Sequence, residues 1–196
     1  ASDGMEMDID AFTLGLRDAF SGAEQRLTQE EIQAEMMAFQ EQLEAEQTAD
    51  QEALATANAA AAEAFMAENA QREGVITTDS GLQYEVMTMG DGVTPGPEDT
   101  VEVHYSGKLL DGTEFDSSYK RGEPVTFGVN QVIGGWTEAL QMMPAGSQWK
   151  LFIPPELAYG AGGAGQVIGP NAALTFEVEL LSVPSQEENN EEGEES

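Results

Sequence analysis

The segment VEVHYSGKLLDGTEFDSS, residues 101–118, contains the clearest strand and turn signals of the chain. Val101, Val103 and Tyr105 alternate with polar residues, which is the two-residue period of a strand with one buried face. The Asp-Gly dipeptide at 111–112 is typical of a tight hairpin turn. This segment therefore predicts two antiparallel strands joined by a short loop.

Further strand signals lie on both sides of this hairpin. The segments 82–86 and 174–180 show the same alternation of apolar and polar residues. One helix is predicted among these strands, from Trp136 to Met143, before the Pro-Ala-Gly sequence at 144–146. Because the strands outnumber this short helix, we expect an antiparallel sheet folded over it.

The N-terminal part of the chain contains no proline and is predicted to be helical. Apolar spacing indicates a short amphipathic helix over 9–20. Thr28 and Glu31 then form a capping box, from which one helix of about 45 residues, or ~65 Å, can run to Gly74. A helical hairpin broken near residues 46–50 is the alternative.

This long helix is expected to be a solvated arm between two packed ends. Its apolar residues recur every three or four positions, first at Ile32, Met36, Phe39 and Leu43, and again at Leu54, Ala57, Ala61 and Phe65. Residues 44–52 between these stripes contain no large apolar side chain. A helix with such a polar middle cannot be buried along its whole length.

Composition excludes several classes of function. The 196 residues include 37 acidic and 7 basic side chains, which gives a net charge of −30. So few cations argue against nucleic-acid binding and against an anionic membrane surface. No apolar run approaches the ~20 residues that span a bilayer. The charge also fits adaptation to salt, which would describe habitat rather than function.

No residue pattern indicates a metal site, a cofactor or acid–base catalysis. The chain has no cysteine and one histidine, His104, which lies in a predicted strand and is interpreted as non-catalytic. The glycine run 160–165 matches a dinucleotide-binding pattern but lacks the βαβ context. What remains is a set of aromatic residues, which are either core or binding site: Tyr105, Phe115, Phe127, Trp136, Tyr159 and Phe176.

Five separated motifs between residues 81 and 183 resemble, in order and spacing, the FK506-binding-protein family of peptidyl-prolyl cis-trans isomerases. They are VHYSG (103–107), DGTEFDSS (111–118), VIGGW (132–136), MPAG (143–146) and LAYG (157–160). The segment LTFEVELL at 174–181 fits as well. The helical N-terminal part and GLQY at 81–84 resemble the Mip/FkpA branch, whose members are bacterial, exported and usually dimeric.

The resemblance implies an α+β fold in which an antiparallel half-barrel sheet wraps on one short helix. A helical N-terminal domain with a long helical arm is expected before it. We divide the chain into a dimerisation segment (1–28), a connecting helix (29–74), the isomerase domain (75–184) and an acidic, disordered tail (185–196). The tail assignment rests on its composition, since it has six carboxylates and no large apolar residue.

The resemblance also implies a proline pocket between sheet and helix. Trp136 is expected to form its floor, and Ile168, in the flap (residues 161–170), is expected to bind the substrate. The walls are expected at Tyr105, Phe115, Phe127 and Phe176, and the rim at Val132 and Ile133, whose N–H would hold the peptide. Asp116 and Tyr159 are the candidate catalytic residues, as the polar contacts of the pocket.

Two departures from the family pattern leave substrate preference open. Val125 stands where an aromatic residue is often found, and residues 164–166 make a small, polar flap tip. The implied activity is isomerisation of X-Pro bonds, which assists the folding of exported proteins without metal or cofactor. A non-catalytic chaperone or peptide-binding module is the alternative.

The resemblance implies three sets of partners or surroundings. Proline-containing polypeptides are the expected substrates, and FK506-type macrolides are expected inhibitors. A homodimer is expected through the N-terminal helices, without the helix that usually precedes 9–20 in this branch. We expect the periplasm or the exterior of a bacterium, since the start at Ala1 fits removal of a secretory signal. A trimmed chain would begin in the same way.

Overall fold

The structure is a computed structural model that describes residues 29–186. Its helices are α1 (Gln29–Asn69), α2 (Ser118–Arg121) and α3 (Gly134–Leu140). Its strands are β1 (Val75–Thr77), β2 (Gln83–Thr88), β3 (Thr100–Leu109), β4 (Glu114–Ser117), β5 (Val125–Gly128), β6 (Gln148–Ile153) and β7 (Leu174–Ser182). The chain divides into two compact units between Ala49 and Asp50, so α1 contributes residues to both.

The seven strands form one antiparallel sheet in the order β1-β2-β6-β7-β3-β4. Strand β5 also pairs with β3, through residues 100–103, whereas β4 pairs with residues 106–108. The two short strands therefore share one edge of β3. The expected antiparallel α+β fold is confirmed, and so are the strands predicted from the alternation at 82–86, 101–105 and 174–180.

The predicted hairpin turn lies between β3 and β4. The Thr113 N–H donates to the Asp111 side chain at 2.8 Å, and the Leu109 N–H donates to the Thr113 carbonyl at 2.9 Å. Gly112 has a φ of 87°, a left-handed conformation that favours glycine. The Asp-Gly signal thus identified the turn correctly.

Helix α3 lies against the apolar face of the sheet, and the two together form the core. Trp136, Ala139 and Leu140 of α3 are buried against alternate residues of the strands, such as Val103 and Val178. The helix begins two residues before the predicted start and ends three before the predicted end. After Leu140 the chain turns more tightly, because the Met142 and Met143 N–H groups bond three residues back rather than four.

Helix α1 is continuous through residues 46–50, which excludes the hairpin alternative. It ends at Asn69, five residues before the predicted stop at Gly74, because bonds from the Gln71 and Arg72 N–H groups three residues back convert its end into turns. The short helix predicted over 9–20, the capping residue Thr28 and the tail beyond Gln186 lie outside the described residues. No described helix has both the length and the hydropathy to cross a bilayer.

The C-terminal half of α1 packs on the sheet. Ala62 and Asn69 are 3% and 2% exposed, and the Phe65 ring lies 5.9 Å from that of Phe152. The Asn69 side chain donates to the Gln83 side chain at 2.8 Å, and Gln83 donates to the Met66 carbonyl at 2.8 Å. These bonds satisfy buried polar groups and fix the helix to β2.

Candidate functional site

An aromatic cluster lies where α3 meets the concave face of the sheet. The Trp136 ring is nearly perpendicular to the rings of Tyr105, Phe127 and Phe176, with centroids 5.2, 5.9 and 5.3 Å away. Edge-to-face contacts of this kind are favourable for aromatic rings. The indole is 4% exposed. Trp136 is therefore held rigidly beneath its neighbours.

A pocket of about 500 Å³ opens above this cluster. It is lined by Tyr105, Phe115, Asp116, Phe127, Gln131, Val132, Ile133, Trp136, Tyr159 and Phe176. The structure thus brings nine of the ten predicted site residues together. The exception is Ile168, whose side chain is buried in the core and does not line the pocket. Gln131 also lines the pocket, and no sequence pattern had marked it.

Gly107 on β3 allows two aromatic rings to meet over the strand. A Cβ at this position would lie 2.6 Å from Phe176 and 2.7 Å from Phe115, closer than a side chain permits. The two rings pack edge to face, with centroids 5.6 Å apart. Gly107 therefore matters for the space it leaves, and a larger residue would push the pocket wall apart.

Three polar side chains form a network at the pocket mouth. The Tyr105 hydroxyl donates to Asp116 at 2.5 Å and accepts from the Arg121 guanidinium at 2.9 Å. Arg121 also bonds the second Asp116 oxygen. The guanidinium lies 5.5 Å from the centre of the Tyr105 ring. Both Asp116 oxygens are thus engaged, and the carboxylate orients Tyr105 and Arg121.

The network sets the charge of Asp116. Burial by itself would raise the pKa of this carboxyl, but the hydrogen bonds from Tyr105 and Arg121 and the positive charge of Arg121 lower the pKa below its usual range. Burial and the bond to Asp116 raise the pKa of Tyr105. At neutral pH the pocket mouth therefore presents an ionised Asp116 and a neutral Tyr105.

Arg121 was not among the predicted site residues. It follows Asp116 by five positions and is brought back over it by the single turn of α2. The Ser117 side chain caps this turn, and Gly122, with a φ of 80°, closes it. A serine cap and a glycine stop around an arginine were visible in the sequence and could have placed Arg121 beside the carboxylate.

Two further polar groups, on residues that line the pocket, have no hydrogen-bond partner among the described residues. The Ile133 carbonyl accepts from Trp136 and Thr137, but the Ile133 N–H makes no hydrogen bond within residues 29–186. The Tyr159 hydroxyl likewise has no partner in that range, and the residue is 42% exposed. Both groups are available to a bound peptide.

The flap, residues 161–170, is flanked by Gly160 and Asn171 and lies two residues beyond Tyr159. Its tip is closed by paired bonds between Ala164 and Ile168, with lengths of 2.8 and 3.1 Å. Its base is closed by the Asn171 N–H, which donates to the Gly160 carbonyl at 2.8 Å. Val125, where the sequence departs from the family pattern, packs against the core and is not among the pocket-lining residues.

His104 lies on the opposite face of β3 from Tyr105. Its ring stacks on Tyr119 at 4.7 Å, and its Nδ1 lies 2.9 Å from the Ser118 hydroxyl. Tyr119 donates to Glu179 at 2.9 Å, and burial and this bond raise the pKa of Tyr119 to about 12. Within the described residues no cluster of three or more acidic or histidine side chains is arranged to bind a metal ion.

The fold and the pocket together define a class of protein, the prolyl isomerases of the FK506-binding type. Residues 92–181 match the family described as FKBP-type peptidyl-prolyl cis-trans isomerase. Residues 1–86 match the domain described as amino terminal to that isomerase.

Individual relatives agree. The chain is 45% identical over 180 residues to the outer membrane protein MIP of Legionella longbeachae, covering 92% of this chain and 77% of the relative. It is 48% identical over 179 residues to the peptidyl-prolyl cis-trans isomerase Mip of Coxiella burnetii, covering 91% and 78%. The crystal structure of FkpA from Escherichia coli superposes with a TM-score of 0.81 at 42% identity, covering 92% of this chain and 84% of that one.

The chain belongs to the FKBP-type peptidyl-prolyl cis-trans isomerase family, with the amino-terminal domain that accompanies the catalytic domain in Mip and FkpA. It is an isomerase that acts in protein folding. The alternative of a non-catalytic binding module is thereby set aside.

Proposed function

We propose that the pocket above Trp136 is where this isomerase binds an X-Pro segment and twists its amide bond. The observation that carries the proposal is the rigid aromatic floor and wall beside an ionised Asp116 whose oxygens are already engaged. This arrangement offers apolar surface and fixed dipoles but no free acid or base. Isomerisation needs neither.

The barrier to rotation comes from amide resonance and is about 18–20 kcal/mol. In the twisted state the C–N bond loses double-bond character, so the carbonyl is less polar and the nitrogen becomes pyramidal. A dry aromatic pocket solvates the polar, planar amide poorly, and the less polar twisted amide loses less by leaving water. The enzyme therefore accelerates rotation by binding the twisted state better than the planar one.

Named groups hold the peptide during this rotation. The proline ring lies on the Trp136 indole, and the Ile133 N–H and the Tyr159 hydroxyl bond peptide carbonyls. Asp116 acts as a positioning residue, since its bonds orient the Tyr105 ring that forms one wall. Ile168 contributes from the core by supporting the flap rather than by touching the proline.

The test is cis/trans exchange in a short Leu-Pro peptide, followed by NMR. Asp116→Ala should remove most of the acceleration, because the Tyr105 ring and Arg121 lose their common partner. Tyr159→Phe should reduce the acceleration about fivefold, the value of one hydrogen bond near 1 kcal/mol. Tyr119→Phe is the matched control, because it removes one hydroxyl on the opposite face of the sheet. Full activity in both pocket variants would show that the active site lies elsewhere.

We also propose the surroundings in which this activity operates. The substrates are proline-containing segments of exported proteins in the periplasm or at the exterior of a bacterium, and FK506-type macrolides compete for the same pocket. The segment 1–28 and the first half of α1 form a homodimer. Exposed Met36 and Phe39 support this assembly, because the described residues leave this apolar stripe uncovered.

A further inference from the structure

The flap is fastened to the second half of α1, which the reaction described above does not require. The Asn58 side chain donates to the Pro170 carbonyl at 2.8 Å, across 112 positions of sequence. The Asn171 side chain donates in return to the Ala55 carbonyl at 3.4 Å. All of these residues belong to the compact unit that begins at Asp50.

The local backbone is shaped for this attachment. Asn171 has a φ of 53° and is the one non-glycine residue with a positive φ in the part of the chain described. Asparagine tolerates this conformation better than most residues, and it aims the side chain at the helix. A Cβ on Gly169 would lie 2.9 Å from the Asn58 amide and 3.2 Å from Leu54, so the flap backbone lies directly on the helix surface.

The attachment reaches the pocket through a short series of bonds. Asn171 holds the helix with its side chain and holds the Gly160 carbonyl with its own N–H at 2.8 Å. Gly160 directly follows Tyr159, which lines the pocket. The position of Tyr159 is therefore tied to the helix by one residue, Asn171, with Asn58 holding the adjacent peptide.

We propose that Asn58 and Asn171 are positioning residues that use helix α1 as a support for the flap and thereby fix Tyr159 for substrate binding. The proposal rests on the proposed role of the pocket. Without the attachment, the flap samples arrangements in which Tyr159 does not meet the peptide. The apparent affinity then falls in proportion to the fraction of molecules in the competent arrangement. The cis/trans exchange rate of the bound peptide stays the same.

The experiment uses the full chain with variants Asn58→Asp and Asn171→Gly. The first keeps the shape of the side chain but replaces the amide donor by a carboxylate that repels the Pro170 carbonyl. The second removes the side chain while glycine keeps the positive φ. Thr56→Ala is the control, because Thr56 is exposed on the same helix and its side chain bonds only the Glu52 carbonyl within the helix among the described residues.

Two quantities are measured by NMR with a Leu-Pro peptide, its dissociation constant and its exchange rate at saturation. We expect the dissociation constant to rise about three- to fivefold in each variant, as for loss of one hydrogen bond, with the saturated rate within twofold. The control stays at the wild-type value. Faster amide hydrogen exchange at positions 168 and 171 should accompany the change, since those N–H groups close the flap.

A double-variant cycle separates positioning from a general loss of stability. In a Tyr159→Phe background, Asn58→Asp should change affinity less than twofold, because the hydroxyl that it positions is absent. An equal loss in both backgrounds, or wild-type affinity in both flap variants, overturns the proposal. If the single variants Asp116→Ala and Tyr159→Phe both retain full activity, the pocket assignment fails and the flap proposal fails with it. If these two variants lose activity while Asn58→Asp and Asn171→Gly bind the peptide as the wild type does, only the flap proposal fails.

Discussion

Phe176 and Phe39 are the same residue type in two opposite situations. Phe176 is buried in the sheet among Trp136 and Tyr105, whereas Phe39, in the first half of α1, is 50% exposed. The difference lies in the neighbouring elements rather than in the residue. A strand flanked by two others and covered by α3 has partners for its apolar face, whereas the rest of the described chain, residues 29–186, leaves Met36 and Phe39 exposed.

The two halves of α1 repeat this contrast within one helix. Both halves carry apolar residues at helical spacing. In the second half Ala62 is buried and Phe65 packs on Phe152, although Leu54, Ala57 and Ala61 stay exposed, whereas Met36 and Phe39 of the first half are exposed. Periodicity therefore reports which face of a helix is apolar and does not report what covers that face. For the first half, the proposed cover is a second copy of the chain.

The largest effect is expected from truncating the two phenylalanines. Phe176→Ala should lower the free energy of unfolding by about 3–5 kcal/mol, because it opens a cavity beneath the pocket, and should abolish isomerisation. Phe39→Ala should change unfolding of the isomerase unit by less than about 0.5 kcal/mol. Urea denaturation followed by Trp fluorescence measures both. Phe176→Leu, which keeps most of the volume, should fold and still lose activity; equal costs at the two positions would contradict the contrast.

A matched pair of alanines tests the two halves of the helix directly. Ala62→Glu places a carboxylate at a site that is 3% exposed and should cost about 2–4 kcal/mol, or raise the pKa of the new carboxyl strongly. Ala38→Glu makes the same change at an exposed site of the first half and should cost less than about 0.5 kcal/mol. Thermal and urea unfolding give both values. Similar losses would mean that the first half is also packed.

A matched pair of amides tests the hydrogen bonds of the two halves. Asn69→Ala leaves the buried side-chain oxygen of Gln83 without its donor and should destabilise the isomerase unit by about 1–3 kcal/mol. Gln42→Ala removes an exposed bond of 3.4 Å to Glu46 and should cost less than about 0.5 kcal/mol. The midpoints of urea denaturation, compared at equal m-values, give the loss of stability in each variant. An unchanged free energy of unfolding in Asn69→Ala would show that water replaces the lost bond.

The strands were predictable because they depend on local patterns, whereas the pocket was predictable through the resemblance to the isomerase family. Alternation placed Tyr105 and Phe176 on one face of the sheet, and the motifs shared with that family assigned Asp116 and Tyr159 to the same pocket. The fold-determining signals of this chain lie within a few residues of one another. For these residues, sequence and structure agree.

What could not be predicted depends on contacts between distant segments. Asn58 bonds Pro170 across 112 positions, and no periodicity marks either residue. Ile168 was assigned to the pocket, but its side chain is buried in the core. The path of the flap follows from tertiary packing, which no local pattern reports. Asn69, the last residue of α1, donates to the Gln83 side chain fourteen positions away, and no local pattern marks this pair.

The smallest and most specific effect is expected from making the apolar stripe polar. Phe39→Ser and Met36→Ser should each raise the dissociation constant of the dimer at least about tenfold, because about 1.4 kcal/mol of apolar burial between chains is lost. Sedimentation equilibrium measures this constant. The activity on a short Leu-Pro peptide should stay unchanged, since the pocket lies in the other compact unit. Thr48→Ser, on the polar part of the same helix, is the control. If both stripe variants dimerise as strongly as the wild type, the exposed apolar residues contact a different partner. If the wild-type chain is monomeric, the proposed homodimer is wrong, and the isomerase assignment is unaffected.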